Sequence, residues 1–259
     1  MILRTHEGLD RLAKMSKKRA DQLVFERGLA ESRARAQAMI LAGEVFLQDT
    51  RIDKPGQLVD EAREILVRTR SRYVSRGGDK LAGALAAHNV DPSGLRCLDV
   101  GASTGGFTDC LLQHGARSVL AVDVGYGQLA EKLRADPRVI VRERTNARTL
   151  DAEACGGALD LVVVDASFIG LGKLADALFA CTTPDGQLLA LIKPQFEAGA
   201  EEARKGQGVI RDPEVRARAI EGAVAELAAV GYAIAGVSDC VLAGPKGNVE
   251  AFVHARRPR

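Results

Sequence analysis

Apolar positions follow two regimes along this chain. Between Ala20 and Val67 they come in short clusters. Leu23 and Val24 share one face of a short helical stretch that Gly28 ends; Ala36, Met39 and Ile40 form the stripe of a second helix, Arg33 to Ala42, capped by Ser32 and stopped by Gly43. Val45-Phe46-Leu47, Ile52, Leu58-Val59 and Ile65-Leu66-Val67 follow as short strands with turns at Gln48-Asp49-Thr50 and Pro55-Gly56. The pattern predicts a small α+β unit with twisted antiparallel strands.

Beyond Gly78 the regime changes. Apolar runs recur at Leu98-Val100, Val119-Asp123, Val139-Val141, Leu159-Asp165, Leu188-Ile192, Ala233-Val237 and Val249-Val253, with helical stretches such as Lys173-Cys181 and Pro213-Val230 between most of them. Continuous apolar runs joined by helices predict a doubly wound, mostly parallel sheet. The last two runs are joined by Leu242 to Asn248, too short for a crossover, so the final strand is expected antiparallel.

The stretch Arg68 to Gly78, basic and ending in glycines, separates the regimes. The expected organisation is an extension of no evident role at 1–16, a small domain at 17–67, a basic linker at 68–76 and a large domain at 77–259. Tyr73 is expected to tuck against a neighbouring domain, with base stacking the less favoured role. Met15-Ser16-Lys17-Lys18-Arg19 resembles a natural start of translation.

The large domain is organised around Arg96-Cys97-Leu98-Asp99-Val100-Gly101-Ala102-Ser103-Thr104-Gly105-Gly106-Phe107, a strand that turns through glycines into a helix expected over Thr108 to His114. Glycines there let backbone approach a ligand, and the helix start offers unpaired N–H groups. The spacing is neither a dinucleotide fingerprint nor a phosphate loop. Asp123 closes the next strand about twenty residues on, where this topology meets a ribose diol. Asp99 and Asp123 together suit an adenosine-type cofactor bearing cationic groups, S-adenosylmethionine foremost. A tight turn with a buried aspartate is the plainer alternative.

Composition narrows the class. Of 259 residues, 46% are hydrophobic, with no apolar run near membrane-spanning length and no secretory leader pattern at Met1 to Glu7, so a soluble, cytoplasmic protein is expected. Five cysteines without a Cys-x-x-Cys pair and four histidines give little support to disulfides or a metal. Net charge is +2, but residues 1–76 hold 16 Lys and Arg against 11 Asp and Glu, while the remainder holds 20 against 23. That asymmetry suits a polyanion-binding appendage, or a solvated basic face.

Ligands of such sheets lie beyond the C-terminal ends of the strands. The candidates there are Asp165 and Lys193, each closing an apolar run, joined by Lys80 after Gly77-Gly78-Asp79 and by Glu250 after Gly247-Asn248-Val249. A lysine closing a core strand is partly desolvated and is a candidate to accept a hydroxyl proton; a lysine snorkelling to solvent is the alternative.

Two resemblances join these observations. Arg27 to Val45, RGLAESRARAQAMILAGEV, resembles the small RNA-binding module of S-four type, in which the start of the second helix meets structured RNA. On matching positions that implies Arg33, Arg35 and Gln37 as contacts, with Arg70, Arg72 and Arg76 of the basic stretch beside them. The order Lys80, Asp165, Lys193, Glu250 resembles the tetrad of FtsJ-type ribose 2′-O-methyltransferases. With Ser75-Arg76-Gly77-Gly78-Asp79-Lys80-Leu81, Asp123 to Leu129, Glu143 to Arg148 and Lys193-Pro194-Gln195-Phe196-Glu197, the chain from about Lys17 onward is similar to the TlyA family.

The resemblance implies a Rossmann-like seven-stranded S-adenosylmethionine-dependent methyltransferase domain behind an α+β RNA-binding domain, acting on cytidine in ribosomal RNA; nothing in the sequence itself demands a metal, a membrane or more than a monomer. It implies Asp99, Gly101, Ser103, Thr104, Gly105, Gly106, Asp123, Asn146 and Asp165 around the cofactor. A catalytically idle ribosome-assembly factor, a methyltransferase of small molecules or protein, and the pore-former suggested by the family's old haemolysin name are the alternatives.

Overall fold

A computed structural model describes residues 17–48, 50–67, 72–244 and 247–259, and the chain divides after Arg70 into two compact units. The extension at 1–16, its candidate start at Met15 included, lies outside the described residues, as do Asp49 and Arg70.

The small unit runs β1 (Lys17–Arg19), α1 (Ala20–Glu26), α2 (Arg33–Leu41), β2 (Val45–Leu47), β3 (Thr50–Arg51), β4 (Leu58–Asp60) and β5 (Ile65–Val67). Both helices stop where expected because Gly28 and Gly43 take left-handed φ of 69° and 73°. Ser32 Oγ accepts from the backbone N–H of Arg35 at 3.1 Å, capping α2. The strands form two small sheets, in the orders β3-β2-β5 and β1-β4. Thr50 is in strand, not turn: it pairs with Leu47, leaving a two-residue connection. Leu23, Val24, Ala36, Met39, Ile40, Val45, Ile52, Val59 and Ile65 make the core.

That core contains a carboxylate which the apolar pattern does not announce. Asp21 is completely buried, held by Arg19 Nε at 3.0 Å, Gln37 Nε2 at 2.8 Å, Arg33 Nε at 3.2 Å and the backbone N–H of Gln22 at 2.9 Å. The Arg19 guanidinium, helped by Gln37 and Arg33, holds its carboxyl far below the usual carboxylate range against the opposing effect of burial.

The large unit comprises α3 (Arg76–His88), β6 (Arg96–Val100), α4 (Gly106–Gln113), β7 (Ser118–Val122), α5 (Glu131–Arg134), β8 (Val139–Arg142), β9 (Leu159–Val164), α6 (Ala175–Cys181), β10 (Thr182–Ile192), α7 (Pro194–Glu197), α8 (Ala200–Lys205), α9 (Pro213–Ala229), β11 (Ala233–Asp239) and β12 (Ala251–Arg256). The sheet order is β11-β12-β10-β9-β6-β7-β8. Antiparallel β12 lies between β10 and β11; the β10, β9, β6, β7 and β8 pairings are parallel.

Alternate residues of the central strands enter opposite apolar layers. Leu98, Val100, Val162, Val164, Leu188 and Ile192 pack on the side of Leu178 and Leu227; Cys97, Leu161, Val163, Leu189 and Leu191 pack with Leu81, Leu85 and Leu111. The last strand begins two residues later than its apolar pattern suggests. Asn248 is buried and tied to the loop between α8 and α9, accepting from the N–H of Ile210 and donating to the carbonyl of Gly208, so Val249 stays half exposed outside the ladder.

Residues 72–76, expected as linker, belong to the large unit. Tyr73 is buried in the core that contains Leu81 and Phe107, the N–H of Val74 donates to Asp109 at 2.8 Å, and Ser75 caps α3. Glycines permit this packing. A Cβ on Gly78 would lie 2.2 Å from the Tyr73 side chain, and one on Gly106 would lie 2.2 Å from Ser75 Oγ and 2.9 Å from the backbone N of Gly78. The paired glycines therefore bring the starts of α3 and α4 together.

Candidate active site

Strand order assembles the site. Strands β10, β9 and β6 are neighbours, so Lys193, Asp165 and Gly101, each the residue after its strand, emerge side by side at their C-terminal ends. Because β12 is antiparallel and Ala251 pairs with Ile192, Glu250 arrives at that same end. The close α3–α4 packing brings in Lys80.

The result is two lysine–carboxylate pairs on the wall of one cavity of about 700 Å³. Lys80 Nζ is paired with Glu250 Oε2, both side chains almost entirely buried. Lys193 Nζ lies 2.5 Å from Asp165 Oδ1, an ion pair outside hydrogen-bond geometry, and donates to Ser167 Oγ at 2.8 Å. Ser75, Arg76, Gly101, Ser103, Thr104, Gly106, Gln195 and Asn248 contribute further wall. At one part of it the exposed Phe168 ring lies 5.2 Å from that of Phe196.

The glycine loop is shaped by its own contacts. Gly101 has φ 85°, and a Cβ there would fall 2.7 Å from the carbonyl oxygen of Asp165. Asp123 accepts from the N–H of Ser103 at 2.8 Å and of Gly125 at 2.7 Å. Behind the loop Asp99 is fully buried; its Oδ2 accepts from Thr108 Oγ1 at 2.7 Å, and its Oδ1 has no partner among the described residues. Burial, with Asp165 and Asp123 adding repulsion, pushes its carboxyl up to about 7.

Comparison with known proteins agrees with this geometry. The FtsJ-like methyltransferase model matches residues 73–257, and the S4 domain model matches residues 18–65. The 16S/23S rRNA (cytidine-2′-O)-methyltransferase TlyA of Mycobacterium tuberculosis is 48% identical over 240 residues, covering 92% of this chain and 89% of the relative. This chain belongs to the TlyA family. Hemolysin A of Brachyspira hyodysenteriae is 39% identical, covering 91% of this chain and 98% of that one. A hemolysin-named structure from Streptococcus thermophilus aligns with TM-score 0.73 and 39% identity over 94% of this chain and 90% of its own. No helix among the described residues is long and apolar enough to cross a membrane.

Within this TlyA-family fold the expected tetrad, Lys80, Asp165, Lys193 and Glu250, converges on one cavity. Gly101, Ser103, Thr104 and Gly106 line it too, but four residues expected at the cofactor do not. Asp99 sits behind the loop with Thr108, a Cβ on Gly105 would meet Leu133 at 2.3 Å, Asp123 fastens loop backbone, and Asn146 Oδ1 accepts from the N–H of Arg148. A short apolar strand buries a mid-strand aspartate, which its position in the motif conceals.

The expected RNA contacts also divide. Gln37 is part-buried and donates to Asp21, a structural role, and Arg33 shares that carboxylate. Arg35 is exposed, with no side-chain partner among the described residues. Arg72 donates to Tyr73 Oη at 2.9 Å, and Arg76 lines the cavity rather than a linker. Ser167, Phe168, Gln195 and Phe196 have no role assigned from the sequence, although all follow the strand ends that carry Asp165 and Lys193, and Gln195 and Phe196 belong to the Lys193-Pro194-Gln195-Phe196-Glu197 motif.

Proposed function

We propose that this chain transfers a methyl group from S-adenosylmethionine to the 2′-oxygen of a cytidine in ribosomal RNA. The observation that carries the reading is the convergence of two lysine–carboxylate pairs, one buried and one partly buried, on one cavity beside a glycine loop. The name of the Mycobacterium tuberculosis relative gives the same chemistry and substrate for that protein. A cytoplasmic location and action as a monomer on ribosomal subunits belong to this reading.

The residues present suit the cofactor. Gly101 keeps side-chain atoms out of the space where the loop passes Asp165, and Ser103 and Thr104 line the cavity. Each Asp123 oxygen keeps a second acceptor direction for a ribose hydroxyl. Asn146 follows the neighbouring parallel strand β8, at the same C-terminal end of the sheet. When bound, S-adenosylmethionine supplies a methyl group on a sulfonium that an oxygen nucleophile displaces.

Lys193 does the proton work. Its Nζ, beside Asp165 and Ser167, takes the 2′-hydroxyl proton in its uncharged amine form, the form with a free lone pair, and the ammonium so formed is the one that pairs with Asp165. Asp165 and Ser167 fix that amine in one orientation, and Glu250 does the same for Lys80. The rest is positioning of two reactants. Phe168 and Phe196 offer aromatic faces to an unstacked base, and Arg35 of the small unit offers a charge to phosphate.

The test is incubation of labelled S-adenosylmethionine and enzyme with purified small and large ribosomal subunits lacking the modification. The expected result is label in alkali-resistant dinucleotides, because a 2′-O-methyl group removes the hydroxyl that alkali needs. Label that alkali releases as mononucleotides would place the methyl on a base and contradict the reading. No label on either subunit, with intact RNA binding, would favour an assembly factor.

A further inference from the structure

We infer that Gln195 reads the target base, its side-chain oxygen accepting from the exocyclic amino group of cytosine, and thereby separates cytidine from uridine. This rests on the ribose-methyltransferase reading above. Gln195 lines the cavity, and its Oε1 is buried with no hydrogen-bond partner among the described residues. A buried acceptor without a partner is destabilising, and the residue's place in the cavity wall lets a donor that arrives with the ligand satisfy it once the carboxamide turns outward.

The position identifies that donor. Gln195 stands two residues after Lys193 and directly before Phe196, whose ring faces Phe168. A nucleoside with its 2′-oxygen at Lys193 and its base against these rings brings the base edge within reach of α7. Cytosine presents an amino donor at C4 beside an acceptor at N3; uracil presents an acceptor and then a donor. A carboxamide that presents Oε1 to the amino group matches the cytosine edge, whereas turned by 180° it would match uracil, so the discrimination lies in the unpartnered Oε1 being the atom that meets the amino group. The glycine loop that suits the cofactor is a different segment of the wall.

The experiment uses the full-length protein and methylation-deficient ribosomal subunits. The target position is first mapped with wild-type enzyme, then prepared both as cytidine and as uridine. Wild type should favour cytidine by about tenfold or more in kcat/KM, the scale of a base-edge hydrogen bond. Q195A should lose that preference through a drop on cytidine, with calorimetric affinity for S-adenosylmethionine unchanged. Q195E keeps only the acceptor, so it should keep cytidine ahead of uridine. An unchanged preference in Q195A, or equal losses on both substrates, overturns the inference. Weakened cofactor affinity that accounts for the loss also overturns it and places Gln195 at the cofactor. Wild-type enzyme that methylates neither subunit refutes the underlying reading itself, which separates that failure from this one.

Discussion

Among the described residues each unit buries one aspartate completely, and the two are opposites. Asp21 of the small unit accepts from two arginines, a glutamine and a backbone N–H, and it stays ionised. Asp99 of the large unit accepts from Thr108, leaves one oxygen unpartnered and is pushed up to about 7. A fully satisfied buried charge fixes a fold, whereas polar atoms left short of partners beside a cavity mark a place prepared for a ligand. The two lysine–carboxylate pairs combine both conditions, being internally paired yet open to the cavity.

Changes that strand a charge should have the largest effect. Glu250→Ala leaves Lys80 unpaired in a buried position and should cost about 3–5 kcal/mol of stability by denaturant unfolding. The double change Lys80→Met with Glu250→Leu should recover most of that stability but not methyl transfer, which separates folding from function. Recovery of transfer would remove the pair from the site's chemistry.

Asp21→Asn should cost about 1–3 kcal/mol, because its arginine donors are half exposed and partly rehydrate. Gly106→Ala should cost a similar amount, roughly 1–3 kcal/mol, by forcing the starts of α3 and α4 apart, and should reduce activity beyond its effect on stability. Activity unchanged at full occupancy of the folded state would dissociate that packing from the placement of Lys80.

The aspartates should also respond to pH in opposite directions. Asp21 is depressed when folded, so its stabilisation is present above about pH 4 and is lost as pH falls toward the folded value. Asp99 is raised, so the folded chain keeps a proton that the unfolded chain has released. Stability should therefore fall as pH rises from about 4 to 7, and Asp99→Asn should flatten that slope. Parallel pH profiles for wild type and Asp99→Asn would contradict the assignment. The smallest effect belongs to Arg35→Ala, which should leave stability unchanged and reduce the salt-dependence slope of RNA binding by roughly one unit.

Much of this arrangement is legible in the residues themselves. Apolar runs of strand length separated by helical stretches specify the sheet, and the short connection before β12 requires its reversal. Lys193 and Asp165 stand out because a charge closing a core strand has few structural reasons to be there. What is not legible depends on partners distant in sequence. Val249 is apolar yet lies outside the ladder, because Asn248 is held by Gly208 and Ile210, about forty residues away. Asp21 resembles an ordinary acidic residue at a helix start until Arg33 and Gln37 close over it. Gln195 is unremarkable until its oxygen is seen to lack a donor.

The most direct single measurement compares wild type with Lys193→Ala in methyl transfer to ribosomal subunits while S-adenosylmethionine affinity is measured on the same preparations. The account predicts a rate lowered by at least about a hundredfold, the scale of a lost general base, with cofactor affinity within a few-fold of wild type. Equal losses of rate and cofactor affinity, or a rate near wild type, would contradict the assignment of proton transfer to Lys193.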